Sequence, residues 1–435
     1  MIARVGSRGS VGAVIVVGLL VREVFSFWTG HPSDFELWVR LGYALNHGGN
    51  PYGVLPPVSG LSFANVFSGL NAATIAYLPF WPLVTGLMYF VYSLVGFGNR
   101  FVYYFLLKQP VIFGDVVLGY LLYSYVSVRN SLRANWMLFF WLLSPFTIII
   151  SGIWGMFDSI AMDFIMISVM STSNVKRGFW TGLGILTKSI PVIYAIPTTM
   201  RRARDSFGLL IAIALPALAS LVVLLMLHWP LSTIQPVLLS AAGKGGESMS
   251  VWDSFFYLTY LGVLQPLTPN VYGILGFLWI PAIVVFTFVA FKRFRFETDY
   301  GLVQSLIVVT LVFLIFKARV TEQYAIYLLS LSAIDVAVWN PKRKVMLLLT
   351  MSVALIYLIS NNYLLVRFLA PVYPNALEVE STLSQAMGPI RYGINFLSGL
   401  AFTCLNIRYL VETLKQSRQP EKVKTQTGIS TFKPV

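Results

Sequence analysis

The chain has 435 residues, of which 57% are hydrophobic and only 11% charged, with a mean hydropathy of +0.74. Soluble domains carry about a quarter charged residues, so a water-soluble enzyme is excluded. The net charge of +14 does not point to nucleic acid, because the basic residues sit in short segments between apolar runs, where charge sets membrane orientation. One cysteine, Cys404, excludes a disulfide framework and a thiolate metal cluster. Apolar runs long enough to cross a bilayer, at ~20 residues each, recur from end to end. No short alternating strands suited to a barrel are seen, so the fold expected is an all-α polytopic membrane bundle of about 10–12 transmembrane helices.

Arg4 and Arg8 precede an apolar run over 11–28, which lacks a small-residue cleavage site and reads as a retained span with a cytoplasmic N-terminus. The next stretch, "HPSDFELWVRLGYALNHGGNPYG", then lies outside and opens an outer loop over 29–107. Basic clusters at Arg129/Arg133, Lys176/Arg177, Arg201/Arg202/Arg204, Lys292/Arg293/Arg295 and Lys342/Arg343/Lys344 are expected on the cytoplasmic side. An odd number of crossings must then separate Gly53 from Arg129. The segment 71–96 carries Pro79 and Pro82 and is expected to be interfacial or re-entrant, with one crossing from about Lys108 to Val128. Further crossings are expected at 134–152, 158–173, 206–228, 271–291, 300–316, 324–339, 346–364 and 389–411. Between Lys176 and Arg201 there is too little chain for two full spans. "LTKSIPVIYAIP" therefore predicts a broken helix of two half-spans, with Lys188 at the break. This gives a transmembrane module over 1–340, C-terminal helices over 341–414 and a basic cytoplasmic tail over 415–435, expected to be disordered.

With that topology, polar and charged residues gather at the outer face. They are Asp34 and Glu36, Lys108 and Asp115, Trp154 with Asp158, Lys188, Lys244 and Glu247, and Arg319, Glu322 and Gln323. An ionisable residue at membrane depth requires a partner or a water-filled cavity. Each also has a plain structural account, such as helix capping for Asp158 or snorkelling for Lys108 and Arg319. Together they describe a polar pocket in which a carboxylate can act as base toward a hydroxyl while cations hold a departing lipid phosphate. A divalent metal on Asp34 and Glu36 is the less favoured alternative, since His31, His47 and His228 are scattered. No metal or other cofactor is therefore expected.

The same residues give the chain a resemblance to the GT-C superfamily of integral-membrane glycosyltransferases, with the nearest likeness to GPI-type mannosyltransferases. "SDFELW…GGNPYG" places Asp34 seventeen positions before Pro51, as that family places its outer acidic residue before a "PY" turn. "LLKQPVIFGDVVLG" is similar to its second-span motif at Lys108, Pro110 and Asp115. "GIWGMFDSIAM" resembles its outer turn at Gly155 and Asp158. Lys188 matches the lysine of its broken helix, "KGGESMSVW" supplies Lys244, Glu247 and Trp252, and "ARVTEQYAIYLLSL" looks like its late segment. The likeness spans residues 10 to about 340 and departs from the pattern at Pro32, Met156 and Thr321.

The resemblance implies inverting transfer of a hexose, mannose first and glucose second, from a dolichyl- or polyprenyl-phosphate donor to a hydroxyl of a lipid, glycan or protein acceptor. Asp34 would be the general base, and Lys244, Arg319 and Lys188 would hold the phosphate. Glu36, Lys108, Asp115, Trp154, Asp158, Glu247, Glu322 and Gln323 would support the pocket. Two other readings stay open: a transporter or flippase for a lipid-linked glycan, which also needs a polar midplane site, and an inactive scaffold.

Overall fold

The structure is a computed structural model that describes residues 8–63, 75, 77–96, 98–200, 206–229, 248–265 and 269–416. Lys244, Glu247 and the tail from 417 lie outside the described residues, which are otherwise helical with connecting turns and contain no strand. The helices are α1 (Arg8–Ser26), α2 (Asp34–Asn46), α3 (Phe80–Val95), α4 (Arg100–Ser127), α5 (Ser131–Leu142) and α6 (Pro145–Ile148), the last continuing as a π-turn over Ile149–Trp154. They continue with α7 (Asp158–Met170), α8 (Asn174–Thr187), a 3-10 turn at Ile190–Tyr194, α9 (Ala195–Met200), α10 (Ser206–Met226), α11 (Ser254–Tyr260), α12 (Pro269–Phe277) and α13 (Trp279–Arg293). The chain closes with α14 (Asp299–Phe316), α15 (Ala325–Val338), α16 (Lys344–Asn361) and α17 (Ala376–Lys415).

Among the described residues six helices are long and apolar enough to cross a membrane, or seven if α5 and α6, bent by 44°, form one span. Shorter apolar helices at 80–95, 190–199 and 210–226 add to these. The segment 80–95, 16 residues long, packs beside α2, where Asn46 Nδ2 donates to Gly86 O at 2.8 Å.

Burial sorts the helices as their sequences dictate. α14 is apolar on every face, and 83% of its membrane-length window is buried, which makes it the centre of the bundle. α1 buries only 17% of its window and turns Val16, Leu20 and Val24 outward, as a lipid-facing helix should. Its inner face meets the π-turn closely, because a Cβ on Gly152 would lie 3.1 Å from the Cα of Arg22.

The bundle has two distinct ends. At one, Arg133 Nη1 donates to Ala337 O at 3.2 Å, Lys344 lies over the Trp136 ring, Arg343 bonds Gln416, and Arg129 pairs with Asp299. These belong to two of the basic clusters that the sequence groups together, at Arg129/Arg133 and Lys342/Arg343/Lys344, while Arg201, Arg202 and Arg204 lie outside the described residues. At the other, Gly30 N donates to Phe368 O at 2.9 Å, Met249 N to Val320 O at 2.8 Å, and Asn361 Nδ2 to Glu322 Oε1 at 2.8 Å.

Two helices overshoot this second end. At ~1.5 Å per residue, the 28 residues of α4 rise roughly 42 Å against about 30 Å of hydrocarbon. Lys108 marks the level at which α4 passes Thr29 and the carbonyls of Gly152 and Ile153. The crossing expected from about Lys108 is therefore the lower part of a longer helix, and its first two turns stand above with α2. Likewise α17, 40 residues long, reaches the level of Asn361 O at Arg391, and its opening turns project beyond. Lys188 does sit at a break. α8 ends in an extended residue there (φ −151°, ψ 141°), and the chain returns through the 3-10 turn and α9.

Candidate functional site

Asp34 begins α2. Helix starts leave N–H groups without intrahelical partners, and here His31 Nδ1 accepts two of them, from Ser33 (3.2 Å) and Asp34 (3.3 Å). Burial, with Arg367 nearby, holds the His31 imidazole well below its usual range, so it stays neutral. Its Nδ1 lies 3.4 Å from Asp34 Oδ2, but a neutral ring already accepting through that nitrogen forms no ion pair with the carboxylate. Trp154 supplies the bond instead, its Nε1 donating to Asp34 Oδ2 at 3.0 Å while its ring stacks on His31 at 4.7 Å. Phe368 closes this group, 5.7 Å from His31 and 5.5 Å from Trp154.

The chain reaches this arrangement through the π-turn, whose last residue is Trp154. Gly155 follows in a left-handed conformation (φ 89°) and turns the backbone into α7.

Asp34 is 29% exposed, enough for a hydroxyl to reach it. Burial raises its carboxyl above the ordinary aspartate range, against the opposing pull of the Trp154 bond and of Lys188, Arg319 and Arg367. A carboxylate with raised basicity, reachable from one side and faced by three cations, has the properties of a general base beside an anion site. Replacing Trp154 with Phe keeps the ring but removes a donor to the charged form. A charge-assisted bond is worth about 1.5–3 kcal/mol, so the acid limb of the pH–rate profile should move up by about one to two pH units. A limb that stays in place would show that Asp34 does not set it.

The other residues named from sequence fall into separate groups. Glu36, two positions on from Asp34, points away from it, as helical spacing dictates. It is buried, pairs with Arg40 Nε at 2.6 Å and accepts from Phe63 N at 2.9 Å. Lys108 is wholly buried and donates to Thr29 Oγ1 and to the carbonyls of Gly152 and Ile153, so it closes the end of the π-turn rather than facing an open pocket. Asp115 is also inside the protein, bonded to Arg22, Ser151, Ser159 and Trp141. Lys188 Nζ lies 2.6 Å from Asp158 Oδ2, both are buried, and the ammonium stands over the Phe157 and Tyr324 rings. Its charge is largely committed to Asp158. Glu322 accepts from Asn361 and Asn362, while the buried atoms Gln323 Oε1 and Thr321 Oγ1 have no hydrogen-bond partner among the described residues.

Arg319 differs. It is exposed, forms no ion pair among the described residues, and lies close enough to Asp34 to favour its ionised form. Lys317, buried beside it and over the Trp279 ring, is held down to about 8 by burial and by Arg319.

Residues not singled out by sequence complete the group. His31 stands three positions before Asp34, a spacing that could have signalled a helix cap. Arg367 and Phe368 come from 361–370, a segment with no motif, so nothing in the sequence marks them. The site thus draws on chain beyond the 1–340 segment.

No protein-family model matches the chain, and no curated protein matches it. Among solved structures it is similar to ArnT from Cupriavidus metallidurans bound to undecaprenyl phosphate, at 15% identity and a TM-score of 0.48, over 94% of this chain and 79% of that one.

Proposed function

We propose that the protein is a membrane glycosyltransferase that moves a hexose from a polyprenyl-phosphate donor to an acceptor hydroxyl. The observation that carries this is the partly exposed Asp34, raised in basicity, fixed by Trp154 and faced by Lys188, Arg319 and Arg367. Asp34 removes the acceptor proton, the acceptor oxygen bonds to the anomeric carbon, and the bond from that carbon to the phosphate oxygen breaks. A single displacement inverts the anomeric configuration. The lipid phosphate leaves toward Arg319, which has no competing carboxylate among the described residues, whereas Lys188 already holds Asp158. Lys244 stays part of this reading from its sequence motif. Side-chain cations neutralise the leaving group, so the reaction should survive chelation of divalent metal. Mannose is the first choice of sugar and glucose the second, on the motif resemblance alone.

Purified protein given labelled dolichyl- or polyprenyl-phosphate mannose and glucose, with a pool of lipid, glycan and peptide acceptors, should transfer label with inversion and release lipid phosphate. Absence of transfer from both donors, with no binding of either, would remove this reading.

A site end outside the cytoplasm is the orientation that Arg133, Arg343 and Lys344 at the opposite end support. In a Cys404→Ser background, Ser59→Cys should react with an impermeant thiol reagent on intact cells and Lys342→Cys should not. The reverse labelling would invert the orientation.

A further inference from the structure

Between α16 and α17 the backbone does something unusual. Tyr363, Leu364 and Leu365, none of them glycine, follow one another in the left-handed region at φ 48°, 57° and 69°. Each such residue is disfavoured by its Cβ, and a run of three persists only where the surroundings fix it. What fixes it here is visible. Phe368 O accepts from Gly30 N at 2.9 Å, and the buried Phe368 ring packs on His31 and Trp154, the two residues that hold Asp34. Tyr363 Oη donates to Ser384 Oγ at 2.9 Å and lies under the Arg391 guanidinium. The turn therefore delivers the residue before Phe368 to the rim of the Asp34 recess, and that residue is Arg367.

Arg367 pairs with Glu380 of α17 through both nitrogens of its fork, with Nε 3.2 Å from Oε2 and Nη2 on Oε1. Nη1 reaches Asn362 Oδ1 at 3.5 Å. The pair is not sealed, because Arg367 is 22% and Glu380 14% exposed. A guanidinium fork that fits a carboxylate fits a phosphate equally well.

We propose that Arg367 is a ligand for the phosphate of the lipid donor, that Glu380 is its counter-ion at rest, and that the donor phosphate takes the place of Glu380 on the fork. The inference rests on the transferase reading and adds to it a phosphate-binding residue from outside the resembling segment. It also gives a reason for the left-handed turn, since a relaxed turn at 363–365 would carry Arg367 and Phe368 together away from Gly30, His31 and Trp154. Arg319 and Arg367 then approach the phosphate from separate segments, and the carboxylate of Asp34 is left for the acceptor.

The test is binding of sugar-free polyprenyl phosphate to the purified full chain in detergent, beside inorganic phosphate as the lipid-free arm. Arg367→Gln should raise the dissociation constant at least about tenfold, the scale of one lost charge-assisted contact. The double variant Arg367→Gln/Glu380→Gln leaves no unpaired carboxylate and should bind as weakly. Glu380→Gln alone should bind as tightly as wild type or more so, because the competitor is gone. If the pair is only structural, Glu380→Gln weakens binding as much as Arg367→Gln, or the double variant regains wild-type affinity, and either result overturns the proposal. Wild-type binding that is unchanged in Arg367→Gln overturns the proposal but leaves the transferase reading standing. Wild type that binds no polyprenyl phosphate overturns both. Equal affinity for inorganic phosphate would reassign the fork to a free anion.

Discussion

Asp34→Asn should lower turnover at least ~10²-fold, the usual scale for removal of a general base. The amide keeps the shape of the side chain and can still accept from Trp154 Nε1 through its oxygen, so the recess stays assembled. It cannot take a proton. Donor binding should change little, since the carboxylate acts on the acceptor. Glu36→Gln should reduce turnover far less, and through stability, because Glu36 is buried against Arg40 and Phe63 on the far side of α2. The pH dependence has a definite sign. The raised basicity of Asp34 means that the carboxylate is lost on acidification sooner than an ordinary aspartate would lose it, so wild-type activity should fall on the acid side above the usual aspartate range. Membrane assays at matched expression measure both effects. Equal activity of Asp34→Asn and wild type would move the base elsewhere.

Asp115→Ala should destabilise the fold by about 3–5 kcal/mol, the range for stranding one member of a buried ion pair. Asp115 Oδ2 accepts from Arg22 Nε at 2.8 Å and Nη2 at 2.6 Å and from Ser151 Oγ at 2.9 Å, while Oδ1 accepts from Ser159 Oγ at 2.8 Å and Trp141 Nε1 at 3.1 Å. Both charged residues are wholly buried. Alanine leaves the Arg22 guanidinium with Gly18 O, Leu142 O, Thr147 Oγ1 and Ser151 Oγ but without a counter-charge. The double variant Arg22→Met/Asp115→Leu removes both charges and should recover much of the loss. Thermal unfolding in detergent measures this. A loss below about 1 kcal/mol, the level of an exposed pair, would show that water reaches the site.

The sequence by itself determined the class, the membrane-buried parts of the helices and the meeting of Arg129 and Arg133 with Arg343 and Lys344 at one end, though not the ends of α4 and α17 that extend past the expected crossings. These are readable because lipid imposes one requirement on every span: an apolar run of sufficient length with its backbone bonded internally. The break at Lys188 was legible for the same reason, since too little chain separates two basic clusters for two full spans. So was the separation of Asp34 from Glu36, because two positions on a helix differ by more than half a turn.

Which polar residues share a site was decided only by tertiary structure. Lys108, Asp115, Lys188 and Arg319 all lie near one end, and sequence depth alone reads them as one pocket. Depth does not give the direction around a helix axis, and the fold sends them to different partners. Lys108 turns to the carbonyls of the π-turn, Asp115 to Arg22, Lys188 to Asp158, and only Arg319 turns outward near Asp34. The pairing of Arg22 with Asp115 joins α1 to α4, and no local pattern encodes it. His31 was visible as a residue but not as a cap, since its role depends on where its Nδ1 points. Arg367 reaches the recess because the left-handed run over 363–365 brings Phe368 against Gly30, His31 and Trp154, and contacts so distant along the chain exist only once the bundle has closed.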